Sequence, residues 1–163
     1  VLAKFGIFER SSSAADILPA DAGPEAAAAP LSRGIDAGTG GLSQWATLNG
    51  KQACVVIDGS APGAQGGPSA CSNLEAASDA SELLTIAASS SEKPNTRAGE
   101  AQIVAGLAPN GVNTVNITLA NGAKHTVPVV QNGFHLLTGG SNPVSYEWTD
   151  GSGTKHVQNM KGS

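Results

Sequence analysis

Between Gly106 and Phe134 the chain reads GLAPNGVNTVNITLANGAKHTVPVVQNGF, and no other stretch restricts its fold so tightly. Val115, Ile117 and Leu119 alternate with Thr114, Asn116 and Thr118, the period of two that gives a strand one buried face. Val127 and Val129 repeat the alternation after Asn121-Gly122, so the two strands form an antiparallel hairpin. A two-residue turn at Asn121-Gly122 would pair Ile117 with Thr126 and Val115 with Pro128, turning Val127 and Val129 away from the other branched residues. A three-residue loop, Ala120-Asn121-Gly122 with Gly122 left-handed in a G1 bulge, instead pairs Leu119 with Ala123, Ile117 with His125 and Val115 with Val127. All the branched residues then share one face, and this is the register predicted. Pro128 has no N–H, which places its strand at an edge or turns its donor side outward. Pro109-Asn110-Gly111 and Asn132-Gly133 provide the flanking turns.

Two further hairpins follow the same logic. Gln44 to Ile57 carries Asn49-Gly50 at its turn, and its continuous apolar run Cys54 to Ile57 suits a strand buried on both faces. Val144, Tyr146 and Trp148 alternate with Ser145, Glu147 and Thr149 before Asp150-Gly151-Ser152-Gly153 turns the chain into Thr154 to Val157. Leu83 to Ala87, Gln102 to Ala105 and Leu136-Leu137 read as short strands. The fold class expected is mainly β: an antiparallel sandwich or small open barrel of hairpins, with two short helices and an N-terminal arm.

The arm occupies residues 1–43 and the β-rich domain residues 44–163. Val1 to Phe8 holds Phe5, Ile7 and Phe8, two of only three Phe in the chain, so it reads as a strand or an apolar arm buried against something. Ser13-Ala14-Ala15-Asp16 has capping-box chemistry and opens a short helix that ends before Pro19. Pro24 to Pro30 is read as linker-like, Leu31 to Ser43 as irregular, and Ser72-Asn73-Leu74-Glu75 as the cap of a second short helix reaching about Ala80. Val1 in place of an initiator Met reads as either a removed leader or a start inside a longer product.

With 163 residues the chain is long enough for one domain and a sizeable core. A formal charge of -4 leaves no basic footprint, which disfavours nucleic acid as a partner, and no apolar run reaches the ~20 residues of a membrane-spanning helix. Cys54 and Cys71 flank a Gly/Pro/Ala/Ser loop without Cys-x-x-Cys spacing or a neighbouring His, so they read as a disulfide rather than a reactive or metal-binding pair. Closing a loop of that length stabilises a fold by about 3 kcal/mol in the chain-entropy account and points to an oxidising, extracellular or cell-surface setting.

Residues with chemistry are few. His125, His135 and His156 lack the spacing of a zinc site, no Gly-x-Ser-x-Gly elbow is present, and GAQGG from Gly63 lacks the Lys-Ser/Thr of a phosphate loop. Asp58-Gly59 and Asp150-Gly151 read as turns rather than calcium loops. Accordingly no catalytic residue, metal or cofactor is assigned. Trp45, Tyr146 and Trp148 are the aromatic residues from which a ligand platform would be built, with the core as their competing destination.

Phe5-Gly6-Ile7-Phe8-Glu9-Arg10 followed by Ala14-Ala15-Asp16-Ile17-Leu18-Pro19, Cys54-Val55-Val56 with Cys71, Gly106-Leu107-Ala108-Pro109-Asn110-Gly111-Val112, and Trp148-Thr149-Asp150 with Gly153 together cover less than half the chain. In these segments the chain resembles a group of uncharacterised secreted proteins of actinobacteria. It departs from them at Glu9, Arg10 and Ser11, where the group has a basic pair and Pro, and at Asn110, where Asp is usual. The resemblance implies secretion and a shared scaffold, not a reaction. The function expected is a non-enzymatic extracellular structural or surface-assembly subunit, forming a homo-oligomer or filament through Phe5, Ile7 and Phe8 of the arm. The alternatives are an extracellular carbohydrate- or partner-binding module and, ranked below it, a secreted metal-dependent hydrolase using His125, His135 or His156 with Asp58 or Asp150.

Overall fold

A computed structural model describes residues 5–18, 24–35, 42–50, 52–59, 69–73, 83–88 and 103–160. It is mainly β, 53% strand, in open antiparallel sheets with minimal helix. The strands, in chain order, are β1 (Leu31–Ile35), β2 (Leu42–Asn49), β3 (Gln52–Gly59), β4 (Ser69–Asn73), β5 (Leu84–Ala88) and β6 (Ile103–Leu107). They continue with β7 (Thr114–Leu119), β8 (Lys124–Pro128), β9 (Gly133–Leu137), β10 (Pro143–Thr149) and β11 (Lys155–Asn159). The described strands form three sheets, ordered β1-β2-β3-β4, β5-β6-β9 and β11-β10-β7-β8.

The predicted central hairpin forms in the bulged register. Val115 pairs with Val127 and Ile117 with His125, while Leu119 N–H donates to Ala123 O at 2.9 Å. Gly122 has φ +86, the left-handed conformation that a side chain disfavours, and its N–H closes the loop onto Leu119 O. Val115, Ile117, Leu119 and Val127 are buried on one face, and Pro128 lies on β8, an outer strand of its sheet among the described residues.

The three sheets stack as layers because β6 is apolar on both faces. Ala105 and Leu107 pack into one core with Ile35, Ala46, Leu48, Val55 and Ile57 of the first sheet. Val104, one position out of phase, joins Phe134 in a second core with Val115, Ile117, Tyr146 and Trp148. The small β5-β6-β9 sheet is therefore the middle layer. β3 is buried on both faces as expected: Val55 and Ile57 enter the first core, whereas Cys54 and Val56 face a third cluster with Ala26.

Several local expectations are corrected by longer-range contacts. Leu31 to Ser43 is not irregular throughout, since β1 pairs with β2 from Leu31↔Leu48 to Ile35↔Gln44. The position expected for a boundary, between residues 43 and 44, lies within the range of β2. Ser13 to Asp16 forms only a single 3-10 turn over Ala14–Asp16, and the linker-like segment contains a one-turn helix, α1 (Pro24–Ala27), anchored by buried Ala26. Ser72 and Asn73 end β4, and the short helix expected after them, over residues 74–80, lies outside the described residues. The β2–β3 turn is displaced by one residue, because Asn49 pairs with Gln52. Val144 leaves the inward alternation because the β10–β7 register shifts between Pro143 and Ser145.

The start of the N-terminal arm packs onto its own chain. Gly6–Phe8 is a 3-10 turn, and Phe5, Ile7 and Phe8 are each less than 5% exposed within the first core of their own chain. Asn110 Oδ1 accepts the Gly6 N–H at 2.7 Å and Asn132 Oδ1 accepts the Ile7 N–H at 2.9 Å. Asn132 Nδ2 in turn donates to Ala108 O and Asn110 Oδ1. Two turn asparagines thus clamp the segment that apolar burial holds.

Candidate functional site

A cleft of about 340 Å³ lies at the Ile35 end of the β1–β2 pair. It is lined by Arg10, Ser13, Ala15, Gly34, Ile35, Gln44, Trp45 and Gln131. The volume is near the lower end of the ~300–1,000 Å³ typical of small-molecule sites.

One wall is organised by Asp16. Its Oδ1 accepts from Arg10 Nη2 at 2.5 Å and from the Gly34 N–H at 2.9 Å, and its Oδ2 accepts from the Ser13 N–H at 2.6 Å. Arg33 Nη1 stands 4.0 Å from Oδ2. Burial raises the carboxyl pKa, but the Arg10 hydrogen bond and the Ser13 and Gly34 N–H groups outweigh it and hold the carboxyl at about 2. The turn carrying Asp16 can approach β1 only because residue 34 is Gly: a Cβ there would lie 2.2 Å from Ala15 O. Ala15 O also accepts the Trp45 indole N–H at 3.1 Å.

The opposite wall contains Gln44, which is 2% exposed. Its Nε2 donates to Gly106 O at 3.0 Å, joining the first sheet to the middle layer, while its Oε1 has no hydrogen-bond partner. A buried acceptor left in that state costs about 1–3 kcal/mol. Arg10 Nε is likewise buried without a partner, although its Nη groups are committed to Ser11 O, Ser13 Oγ, Asp16 and Gly34 O. Gln131 reaches the cleft from the Val130–Gly133 turn, where Gln131 and Asn132 both have positive φ, 50° and 66°.

A second polar cluster sits in the β10–β11 hairpin. Asp150 Oδ1 accepts from Ser152 N–H, Thr154 N–H and Ser152 Oγ, and Oδ2 lies 2.6 Å from His156 Nε2. The His156 hydrogen bond, then the Ser152 hydroxyl and Thr154 N–H, hold the Asp150 carboxyl well below the usual range. His156 stacks on Trp148, with centroids 5.4 Å apart. The Asp-Gly turn reading is thus extended by a carboxylate–imidazole pair bracing the loop. Ser152 and Thr154 hydroxyls turn to Asp150 and to each other, so neither is engaged by the imidazole.

The three aromatic residues considered for a ligand platform are not brought together. Tyr146 and Trp148 are buried in the second core, whereas Trp45 is half-buried on the first sheet and borders the cleft. The histidines lie on different strands, His125 on β8, His135 on β9 and His156 on β11. The side chain of Asp58 is outside the described residues. Cys54 and Cys71 face each other across β3 and β4 and form a disulfide, which fits an oxidising environment. Among the described residues Glu25, Cys54 and Cys71 form the trio whose metal-ligating atoms lie within 4.8 Å of one another, but the disulfide consumes both sulfurs. No described helix is long and apolar enough to cross a membrane.

Arg10, Asp16, Gln44 and Gln131 were not singled out from the sequence as site residues. Asp16 was visible only as a cap; Gln44, polar at the start of an apolar strand, was the one local signal of a buried amide. Comparison with known proteins adds no family to this geometry: no protein-family model, curated protein or solved structure matches the chain.

Proposed function

We propose that this chain is a non-enzymatic, extracellular binding module whose ligand site is the cleft beside Trp45. The observation that carries the reading is Gln44 Oε1, a deeply buried acceptor without a partner on a residue that lines a ligand-sized cleft. Such a group is stabilised when a ligand donates to it. Trp45 adds an indole with one edge tied to Ala15 O, so its ring is positioned before a ligand arrives. Titrating the protein with sugars, amino acids and nucleosides while following tryptophan emission tests this. A saturable change is expected and should disappear in Trp45→Phe, because Trp148, the other tryptophan, is 2% exposed. A change that survives in Trp45→Phe would place binding elsewhere.

Surface assembly is retained as a second reading, now through a strand edge in place of the buried arm. Among the described residues β11 is an outer strand of its sheet, its Val157 is 60% exposed, and Val144 and Met160 are exposed beside it, with Met160 N–H bonded to Val144 O at 2.9 Å. An open edge with an apolar row is a template for strand addition. Sedimentation should then show a concentration-dependent oligomer that Val157→Lys returns to monomer. A wild-type monomer at every concentration would remove this reading.

A further inference from the structure

Four Asn-Gly pairs occur in the chain, beginning at Asn49, Asn110, Asn121 and Asn132. We infer that Asn49-Gly50 is a site of spontaneous covalent modification, converting to aspartate and isoaspartate with water as co-reactant, while the fold shields the other pairs. The Gly50 nitrogen attacks Cγ of Asn49. The N–Cγ bond forms as the N–H proton passes to a solvent base, the Cγ–Nδ2 bond breaks, and Nδ2 departs as ammonia. Water then opens the resulting succinimide at one ring carbonyl or the other. One water is consumed and one ammonia released, with no change of oxidation state. A glycine in second place favours the attack because it has no Cβ to obstruct its nitrogen.

The reaction requires an Asn side chain able to swing onto the main chain and a following nitrogen able to attack. At Asn110 the side-chain oxygen accepts from the Gly6 N–H at 2.7 Å and from Asn132 Nδ2 at 2.9 Å. Asn132 is tied at both ends of its amide, to the Ile7 N–H and to Ala108 O, and the Gly133 N–H donates to Val130 O at 2.8 Å. At the central hairpin Asn121 Oδ1 accepts from the Ala123 N–H, and the Gly122 N–H donates to Leu119 O, both at 2.9 Å. Asn49 and Gly50 are both exposed, and among the described residues neither the Asn49 amide nor the Gly50 N–H has a hydrogen-bond partner. The displaced turn is the cause: Asn49 pairs with Gln52 as the last residue of β2, so Gly50, at φ +57, begins the turn with open space around it. Isoaspartate would route the main chain through Cβ and Cγ of residue 49, lengthening it by one methylene where the Asn49↔Gln52 pair closes the hairpin.

Incubating the native full chain in mildly alkaline buffer, then mapping its peptides by mass and fragmentation, tests the inference. Asn49 should gain the mass of amide-to-acid conversion about tenfold or more faster than Asn110, Asn121 or Asn132, the factor set by releasing roughly one hydrogen bond before reaction. The same incubation in concentrated urea should bring the four rates together, because the unfolded chain holds none of them. Native conversion at Asn110, Asn121 or Asn132 as fast as at Asn49 overturns the inference. So does an Asn49 that stays intact in the native chain over a period in which it converts in urea. A rank order that persists unchanged in urea would trace the difference to neighbouring sequence and overturn the part assigned to the fold.

Discussion

Replacing Asp16 by Asn is expected to destabilise the protein by about 3 kcal/mol at neutral pH, because it leaves the buried end of Arg10 without its counter-charge and weakens the acceptor of two backbone N–H groups. The pH dependence carries a signature of the same group. Asp16 has a folded-state pKa of about 2 against an ordinary value of 3.8, so folding is favoured by its ionised form. That contribution is fully present above about pH 4 and is lost as pH falls through 2. Asp150, also held below the usual range, acts in the same direction in both proteins and cancels from their difference. Urea denaturation of wild type and Asp16→Asn between pH 2 and 7 should show a gap that narrows below pH 4. A gap that stays constant across that range would show that the Asp16 charge contributes nothing.

Removing residues 1–8 is expected to abolish cooperative unfolding rather than release a self-contained sheet domain. Phe5, Ile7 and Phe8 belong to the core shared by β1, β2, β3 and β6, and large-to-Ala substitutions at such sites cost about 2–5 kcal/mol each. Their combined loss is comparable to the whole ~5–15 kcal/mol stability of a domain. Phe5→Ala supplies a graded version, with an expected loss of about 3–5 kcal/mol measurable by denaturation even where the truncated chain fails to accumulate. A truncated chain with an unchanged melting temperature would restore the detachable arm.

The contrast between the central hairpin and the arm shows where sequence patterning carried through. In β7–β8 the register depends on residues a few positions apart: alternation sets the face, and Gly122 permits the bulge. The apolar run of β3 likewise announced burial on both sides. Phe5, Ile7 and Phe8 were legible as buried, but whether they fill their own chain or a neighbour's depended on Asn110 and Asn132, more than a hundred residues away. Those asparagines looked only like turn residues because turn chemistry and clamp chemistry use the same amide. Trp45 could be separated from Tyr146 and Trp148 only once three layers had formed, since all three lie on strands and just one borders a cleft.

The strands of the central hairpin, its register at Gly122 and the cysteine pairing follow from local alternation, turn stereochemistry and loop closure, which act over short separations in the chain. The position of β6 as a middle layer, the burial of the N-terminal turn, and the meeting of Arg10, Gln44, Trp45 and Gln131 around one cleft arise from packing between sheets. Apolar burial has no direction of its own, so it prescribes that a face be covered without naming the residues that cover it; only the assembled sheets make that choice.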